Sequence, residues 1–256
     1  MSDGMAELGF KEVPLQEVIV VNDSVQANGN FLLHYFTTLA LKAEMRVCMV
    51  ALNNTLDQFV AVGRKMGVNV QNAVATQKWL HIDGVSRPYD WSAGPQTPMQ
   101  FTMSTTPDAM KNDLQQLFLR LQTFIQASSV PCILVIDDLS ILTYHYGLNA
   151  ALMFARYCRQ LALNAKSTLL VLHHGDVNMD SQGTFLNPAI TDLASIVFTV
   201  RGLDTGYCKD IHGSVMLTRR YQPTSQSSSL HCSTTKKSLQ YKLVENGIRC
   251  IHVETL

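Results

Sequence analysis

The sequence lacks several features that would each indicate a class of protein. No apolar run approaches the roughly 20 residues that a membrane span requires, and the start of the chain lacks the charged and apolar regions of a signal peptide. The six cysteines are widely scattered without a C-x-x-C pair, so we expect reduced thiols and no metal site. With 20 basic and 20 acidic residues the net charge is zero. Any contact with nucleic acid must therefore be local or shared with other chains.

The length and composition favour one large α/β domain. The chain has 256 residues, of which 46% are apolar, and its mean hydropathy is +0.06. A chain of this size buries about three quarters of its unfolded surface, so a substantial core is expected. We predict an N-terminal tail over residues 1–16 and a single domain over residues 17–256.

Short β-branched runs alternate along the chain with segments of helical spacing. Strands are predicted at 17–23, 46–53, 78–84, 132–137, 167–174 and 195–200. Helices are predicted at 29–44, 55–67, 109–127, 149–165 and near 188–194, with Thr55 and Asp108 as the N-caps of the second and third. This alternation indicates right-handed βαβ crossovers and a mostly parallel sheet with helices on both faces.

The last part of the chain has a different pattern. Segments 213–220 and 238–254 have the composition of antiparallel strands, and Asn246-Gly247 is a strong hairpin turn signal. Residues 85–107 are rich in proline and small polar residues, and residues 222–237 are rich in serine and threonine. We expect both to be long loops, the second of them flexible.

The position of a phosphate loop, between the first strand and the first helix, is occupied by a degenerate sequence. Such a loop uses glycines to bring backbone N–H groups to phosphate, a lysine to reach the β and γ phosphates, and a hydroxyl side chain to hold magnesium. Here Ser24 stands for the first glycine, Asn30 for the lysine and Phe31 for the hydroxyl residue, and only Gly29 remains. We therefore expect no nucleotide cofactor, and we interpret Gly29 as part of a tight strand-to-helix turn.

Two polar groups end predicted central strands, where parallel α/β folds place ligands. Asp137 and Asp138 resemble the aspartates that hold magnesium in P-loop ATPases, but capping of the next turn or pairing across a subunit boundary is favoured. His173 and His174 point to opposite faces of a strand and cannot easily share a metal. We expect an ordinary polar role for both histidines and predict no catalytic residue.

A set of basic residues remains after the strand ends are assigned. They could contact phosphates in a pore or groove, which would make binding sensitive to salt, or they could form an ordinary solvated surface. The set consists of Arg201, Lys209, Arg219, Arg220, Lys236 and Lys237.

Four stretches resemble one known family, that of Elongator complex protein 6. They are residues 28–52, 131–142, 154–161 and 202–215, and the resemblance extends from about residue 17 to residue 254. The segment G-L-D-T-G-Y-C-K-D-I-H-G within 202–215 is the most specific, because RecA-like folds in general have no such block. The resemblance implies a RecA-like core without conventional Walker motifs, in agreement with the degenerate phosphate loop.

The same resemblance implies a function and a set of partners. Members of the family form a hetero-hexameric accessory ring with the fourth and fifth Elongator subunits. That ring binds tRNA, is associated with ATP hydrolysis, and serves the catalytic Elongator core, which modifies the wobble uridine (U34) of tRNA. Family members act in the cytoplasm, with nuclear roles also proposed. The modification chemistry lies in another subunit, so the resemblance implies no catalytic residue in this chain.

An analogy with RecA-like rings suggests which parts of the chain contact tRNA or a neighbouring subunit. Loops after the central strands face the pore in such rings, so the segments after Asp138 and after His174 are candidates, together with His173, His174 and the basic residues above. Two other functions remain open at this point. One is a divergent ATPase that uses Asp137 or Asp138 with a cation from elsewhere, and the other is a recombination-type scaffold that binds single-stranded DNA.

Overall fold

A computed structural model describes residues 8–89, 99–176, 183–203, 206, 208–221, 233–245 and 247–251. Within these residues, nine strands form one sheet in the order β3-β2-β4-β5-β1-β6-β7-β8-β9. The strands are β1 (Val18–Asp23), β2 (Arg46–Ala51), β3 (Trp79–Asp83), β4 (Cys132–Ile136), β5 (Thr168–His174), β6 (Ile196–Arg201), β7 (Gly213–Tyr221), β8 (Ser233–Val244) and β9 (Gly247–Ile251).

The first six strands are parallel and the last three are antiparallel. Every pairing among β1–β6 is parallel, whereas β6–β7, β7–β8 and β8–β9 are antiparallel. The predicted fold class, a mostly parallel sheet with an antiparallel C-terminal extension, is therefore confirmed. A hairpin does join β8 to β9, but Gly247 lies opposite Val244 as the first residue of β9 and not in the loop, where the predicted Asn246-Gly247 turn would place it. Asn246 itself lies outside the described residues.

Helices cover both faces of the parallel part of the sheet, as the crossover rule requires. The described helices are α1 (Asn30–Lys42), α2 (Leu56–Lys65), α3 (Val70–Ala75), α4 (Pro107–Gln126), α5 (Leu139–Tyr146), α6 (Leu148–Asn164) and α7 (Gly183–Leu193). Strands buried on both faces separate two apolar cores: α1 packs in the first core, and α4 and α6 pack in the second. None of the helices in the described part of the chain is long and apolar enough to cross a membrane.

Residues 1–16 were expected to form an N-terminal tail, but the described part of this segment, residues 8–16, packs against the domain. Leu8, Phe10 and Val13 are buried in the first core. The ring of Phe10 lies edge-on to Phe36 with 5.4 Å between centroids. Residues 8–16 are therefore part of the folded body, because three apolar side chains in this short segment are covered by α1 and the sheet.

Several element boundaries differ from the prediction. Helices α3 and α5 were not predicted, since each has ten residues or fewer and a short apolar pattern. The N-cap of α4 is Thr106, not Asp108, because Pro107 at the first helical position needs no hydrogen-bonded N–H. Helix α7 begins at Gly183, earlier than predicted.

Both predicted loops are shorter than expected. In the first, Phe101 and Met103 are buried and the neighbouring Gln100 forms a bridge to Asp83. In the second, residues 233–237 belong to β8, so Lys236 and Lys237 lie on a strand. The Ser/Thr composition suggested a loop, but pairing with β7 makes this segment a strand, for which threonine is well suited. Residues 90–98 and 222–232 of these two loops lie outside the described residues, as do residues 177–182 of the candidate contact segment after His174.

Candidate functional site

The polar groups selected from the sequence meet at the carboxyl ends of the central strands. Because β1 lies beside β5 and β5 beside β4, the residues that end these strands are neighbours at one edge of the sheet. The amino terminus of α1 points into the same place. This is the position at which P-loop proteins hold phosphate.

Five backbone amides of the degenerate phosphate loop are already bound to protein acceptors. Ser24 and Ala27 exchange backbone hydrogen bonds of 3.3 and 3.0 Å. The amide of Val25 donates to Asp176 Oδ2 at 2.9 Å, and the amide of Asn30 donates to Asn28 Oδ1 at 2.7 Å. A phosphate cradle needs such amides free to face the ligand. In this loop they hold the turn closed instead.

A carboxylate of the chain itself occupies the amino terminus of α1. The amide of Gly29, the N-cap residue, donates to Asp23 Oδ2 at 2.6 Å. A negative charge is favourable there because the helix dipole is positive at this end. Gly29 is required by space, since a Cβ at this position would lie 2.6 Å from Val21 Cγ1 and 3.2 Å from Asp23 Cβ. Asp23 thus takes the place of a phosphate group.

His174 supplies the positive charge between two acidic side chains. Its Nδ1 contacts Asp23 Oδ1, and its Nε2 lies 3.2 Å from Asp138 Oδ2. The hydrogen bonds to Asp138 and to Asp23, in that order, raise the pKa of His174 to about 10 despite its burial. The imidazole is therefore an imidazolium at neutral pH, and each of its N–H groups donates a hydrogen bond to one of the two carboxylates.

The two aspartates after β4 are both engaged by protein donors. Asp138 is the N-cap of α5 and accepts from the amide of Ser140 at 2.8 Å. Asp137 is fully buried and accepts from the amides of Leu52, Asn53 and Asn54. Burial raises the pKa of Asp137 to about 6. Neither carboxylate is arranged to hold magnesium, and the described residues contain no group of three side chains suited to a metal ion.

Asn30 occupies the position of the phosphate-loop lysine and is connected to Asp137 through Asn54. Its Nδ2 donates to Asn54 Oδ1 at 3.2 Å. Beside it, a groove of about 590 Å³ lies between α1, α2 and the β8–β9 hairpin. Among the described residues that line the groove, the only cation is Lys65, which lies 3.7 Å from Glu245. The groove thus offers no unpaired positive charge to a triphosphate.

The structure contradicts the prediction that His173 contacts tRNA or a neighbouring subunit. It has no exposed surface, because it faces the interior on the side of the sheet opposite to His174. Neither ring nitrogen has a hydrogen-bond partner in the described structure. Burial lowers the pKa of His173 to about 4. This histidine is therefore a neutral core residue at physiological pH.

Buried His173 predicts a loss of stability in acid. Because its pKa is about 4 in the folded state against about 6.5 when unfolded, the unfolded chain binds more protons between these values. Stability must then fall as the pH drops from 6.5 to 4, by up to about 1.4 kcal/mol per pH unit. We expect His173→Leu to flatten this slope in urea unfolding curves measured at several pH values. An unchanged slope would contradict the assignment, and the opposite contribution of Asp137 cancels in the comparison with the parent chain.

The predicted basic residues divide between the two faces of the antiparallel strands. Arg219 lies over the ring of Phe10 at 4.3 Å, on the side of the first core, and Lys237 is in register with buried Leu217 on that same side. The opposite side carries Arg201, Arg220 and Lys236, as the two-residue alternation of strands requires. Lys209 is exposed in the connection before β7.

Sequence reasoning missed Asp23 and two basic residues. Asp23 was included in the first predicted strand, and its position directly before the phosphate-loop segment was the available signal. Lys242 and Arg249 lie directly opposite each other across β8 and β9. A two-residue loop at the predicted Asn246-Gly247 turn would instead place Ile251 opposite Lys242, so the sequence carried no signal for the observed pair.

Comparisons with known proteins agree with this architecture. The family model of Elongation complex protein 6 matches residues 4–245. Elongator complex protein 6 of Rattus norvegicus is 28% identical over 241 residues, which cover 87% of this chain and 85% of the relative. The protein of the same name from Homo sapiens is 28% identical over 240 residues, with coverage of 87% and 85%, and that from Danio rerio is 29% identical over 213 residues, with coverage of 78% of each chain.

A solved structure supports the fold. The KaiC-like protein PH0186 from Pyrococcus horikoshii superimposes with a TM-score of 0.59 at 13% identity, and the match covers 95% of this chain and 96% of that chain. At this identity the likeness shows the fold alone.

Proposed function

This chain belongs to the Elongator complex protein 6 family, and on that premise we propose that it is a non-catalytic structural subunit of the Elongator accessory ring. In this proposal it forms a hetero-hexamer with the fourth and fifth Elongator subunits. The ring helps to bind tRNA for the catalytic core, which modifies the wobble uridine. Its place of action is the cytoplasm, with a nuclear role as well.

The observation that carries the non-catalytic part of the proposal is the closed phosphate loop. The Asp23 carboxylate binds the Gly29 amide at the amino terminus of α1, where a nucleotide phosphate would otherwise bind. A phosphate would have to displace this carboxylate and would then lie close to it, which is unfavourable for two anions. The chain thus retains the frame of a nucleotide-binding fold while its own side chains occupy the phosphate position.

Exposed aromatic and apolar side chains support assembly with other chains. Tyr144 on α5 is 88% exposed, and Tyr157 and Met153 on α6 are 58% and 44% exposed. Tyr157 stacks edge-on against Phe118 of α4. Apolar surface of this kind is typical of a site that another subunit covers.

The proposal predicts a defined change in native mass. The full-length chain alone should have a smaller native mass than the mixture with the fourth and fifth Elongator subunits, which should yield a mixed hexamer that contains this chain. Light scattering after size exclusion, with composition by native mass spectrometry, measures both. A mixture in which this chain stays apart from the other two would contradict the proposal.

A further inference from the structure

One face of β7–β9 and the adjacent end of β6 carries positive charge without compensating acidic residues in the strands. Strands β6 to β9 contain seven basic residues and no acidic one, although the chain as a whole is neutral. Strand register assigns five of the seven to a single face, which we name the basic face. Its cations are Arg201, Arg220, Lys236, Lys242 and Arg249.

The apolar cores do not extend over the basic face. Residues of β7, β8 and β9 contribute to the first core, whereas the second core, which lies on the other side of the sheet, ends at Val197 of β6 among the described residues. Lys236 and Arg249 are exposed. Arg220 is partly buried against α7, where its Nη1 donates to Thr191 O at 3.0 Å and lies 3.4 Å from Asp192 Oδ1. Away from that edge the face remains accessible in the part of the chain that the structure describes.

Two like charges face each other at the β8–β9 end of this surface. Lys242 and Arg249 are directly opposite in the β8–β9 ladder, an arrangement that is destabilising unless an anion lies nearby. Asp210 provides one such anion, with Oδ1 at 2.8 Å from Lys242 Nζ. No acidic side chain among the described residues pairs with Arg249. The pair is therefore suited to a further anionic oxygen.

The neighbouring side chains have the chemistry of a phosphate-contact surface. Between the cations lie mainly hydroxyl and amide groups, together with the apolar Met216 and Val244. The described part of the face carries no aromatic ring on which a base could stack. Arg, Lys, Ser, Thr and Gln are the side chains that contact nucleic-acid phosphates and sugars. The hydroxyl and amide residues are Thr199, Ser214, Thr218, Thr234, Ser238 and Gln240.

We propose that the basic face binds the phosphate backbone of a folded RNA without reading its sequence. This inference rests on the proposed function, in which the ligand of the assembled ring is tRNA, and it assigns a surface of this chain to that contact. Protection of a strand edge against aggregation could explain Lys236, which lies beyond the part of β8 that pairs with β9. The same protection could explain Arg249, since β9 is the last strand of the described sheet. It does not explain Lys242, which lies on β8 directly opposite β9.

The test compares two charge-matched triple variants in the assembled ring. The first, Lys236→Gln/Lys242→Gln/Arg249→Gln, removes three cations of the basic face. The control, Lys11→Gln/Lys111→Gln/Lys166→Gln, removes three lysines that are exposed elsewhere on the chain. We expect the first variant to weaken tRNA binding at least tenfold at about 0.1 M salt and to reduce the slope of log K against log salt by about 2–3 units. The control should change neither quantity.

The outcomes separate this inference from the proposed function. If the first variant assembles and binds tRNA like the control, the basic face is not the contact surface and the inference is overturned. If it fails to assemble while its circular dichroism is that of the parent, the face is a subunit interface, which also overturns the inference but agrees with ring assembly. If the parent chains form no ring, or form one that does not bind tRNA, the proposed function itself fails.

Discussion

Replacing His174 with alanine is expected to lower the free energy of unfolding by about 3–5 kcal/mol. The imidazolium lies between Asp23 and Asp138, whose side chains are 0% and 5% exposed. Its removal leaves two buried negative charges facing each other without the cation between them, although each still accepts one backbone amide. At this chain length a loss of that size corresponds to a fall in Tm of about 10 °C, which thermal unfolding followed by circular dichroism measures.

A double variant separates the effect of charge from the effect of lost packing. In His174→Ala/Asp138→Asn one of the two carboxylates is neutral, so part of the lost stability should return. If the double variant is as unstable as the sum of the two single variants, the pairing of His174 with Asp138 contributes nothing and the explanation is wrong.

The interaction of His174 with the two aspartates also predicts how the free energy of unfolding changes at alkaline pH. Since the pKa of His174 is raised to about 10 in the folded chain, its stabilising contribution is complete below pH 6.5 and is lost as the pH rises from there through 10. The parent chain should therefore lose stability across this range by more than His174→Ala does. This comparison needs only urea midpoints at several pH values.

The sequence predicted the class of the fold because its signals are local. The apolar runs at Val18–Val21 and Cys132–Ile136 are the buried strands that the pattern indicated. The order of the strands is not local, since β1 lies beside β5 and β6, which are distant in the chain. Residues 233–237 were placed in a loop because composition does not reveal that β7 provides a pairing partner.

The site was less predictable, since its contacts join distant segments. Asp23 and His174 are 151 residues apart in the sequence and meet only because β1 and β5 are neighbours in the sheet. The absence of the phosphate-loop lysine was evident from Asn30. The carboxylate at the helix terminus was not, because an aspartate at a strand end has many ordinary roles.

Replacing Asp137 with alanine is the second change with a large expected effect. The fully buried carboxylate accepts from the amides of Leu52 and Asn54, residues that are each 5% exposed, and from Asn54 Nδ2 at 3.2 Å. Each buried donor left without a partner costs about 1–3 kcal/mol. We therefore expect a loss of about 2–5 kcal/mol in urea unfolding. Asp137→Asn, which keeps the shape and one acceptor oxygen, should lie between the alanine variant and the parent.

The same substitutions discriminate against a conventional ATPase. If Asp137 held magnesium, Asp137→Asn would abolish ATP hydrolysis while leaving the fold stable, and Asn30→Lys would raise hydrolysis by restoring the missing cation. We expect neither result, because the oxygens of Asp137 bind the segment after β2 and the carboxylate of Asp23 occupies the amino terminus of α1. Hydrolysis by the full-length chain that increases with Asn30→Lys and disappears with Asp137→Asn would show that the phosphate site opens, and would overturn the structural role assigned to both aspartates.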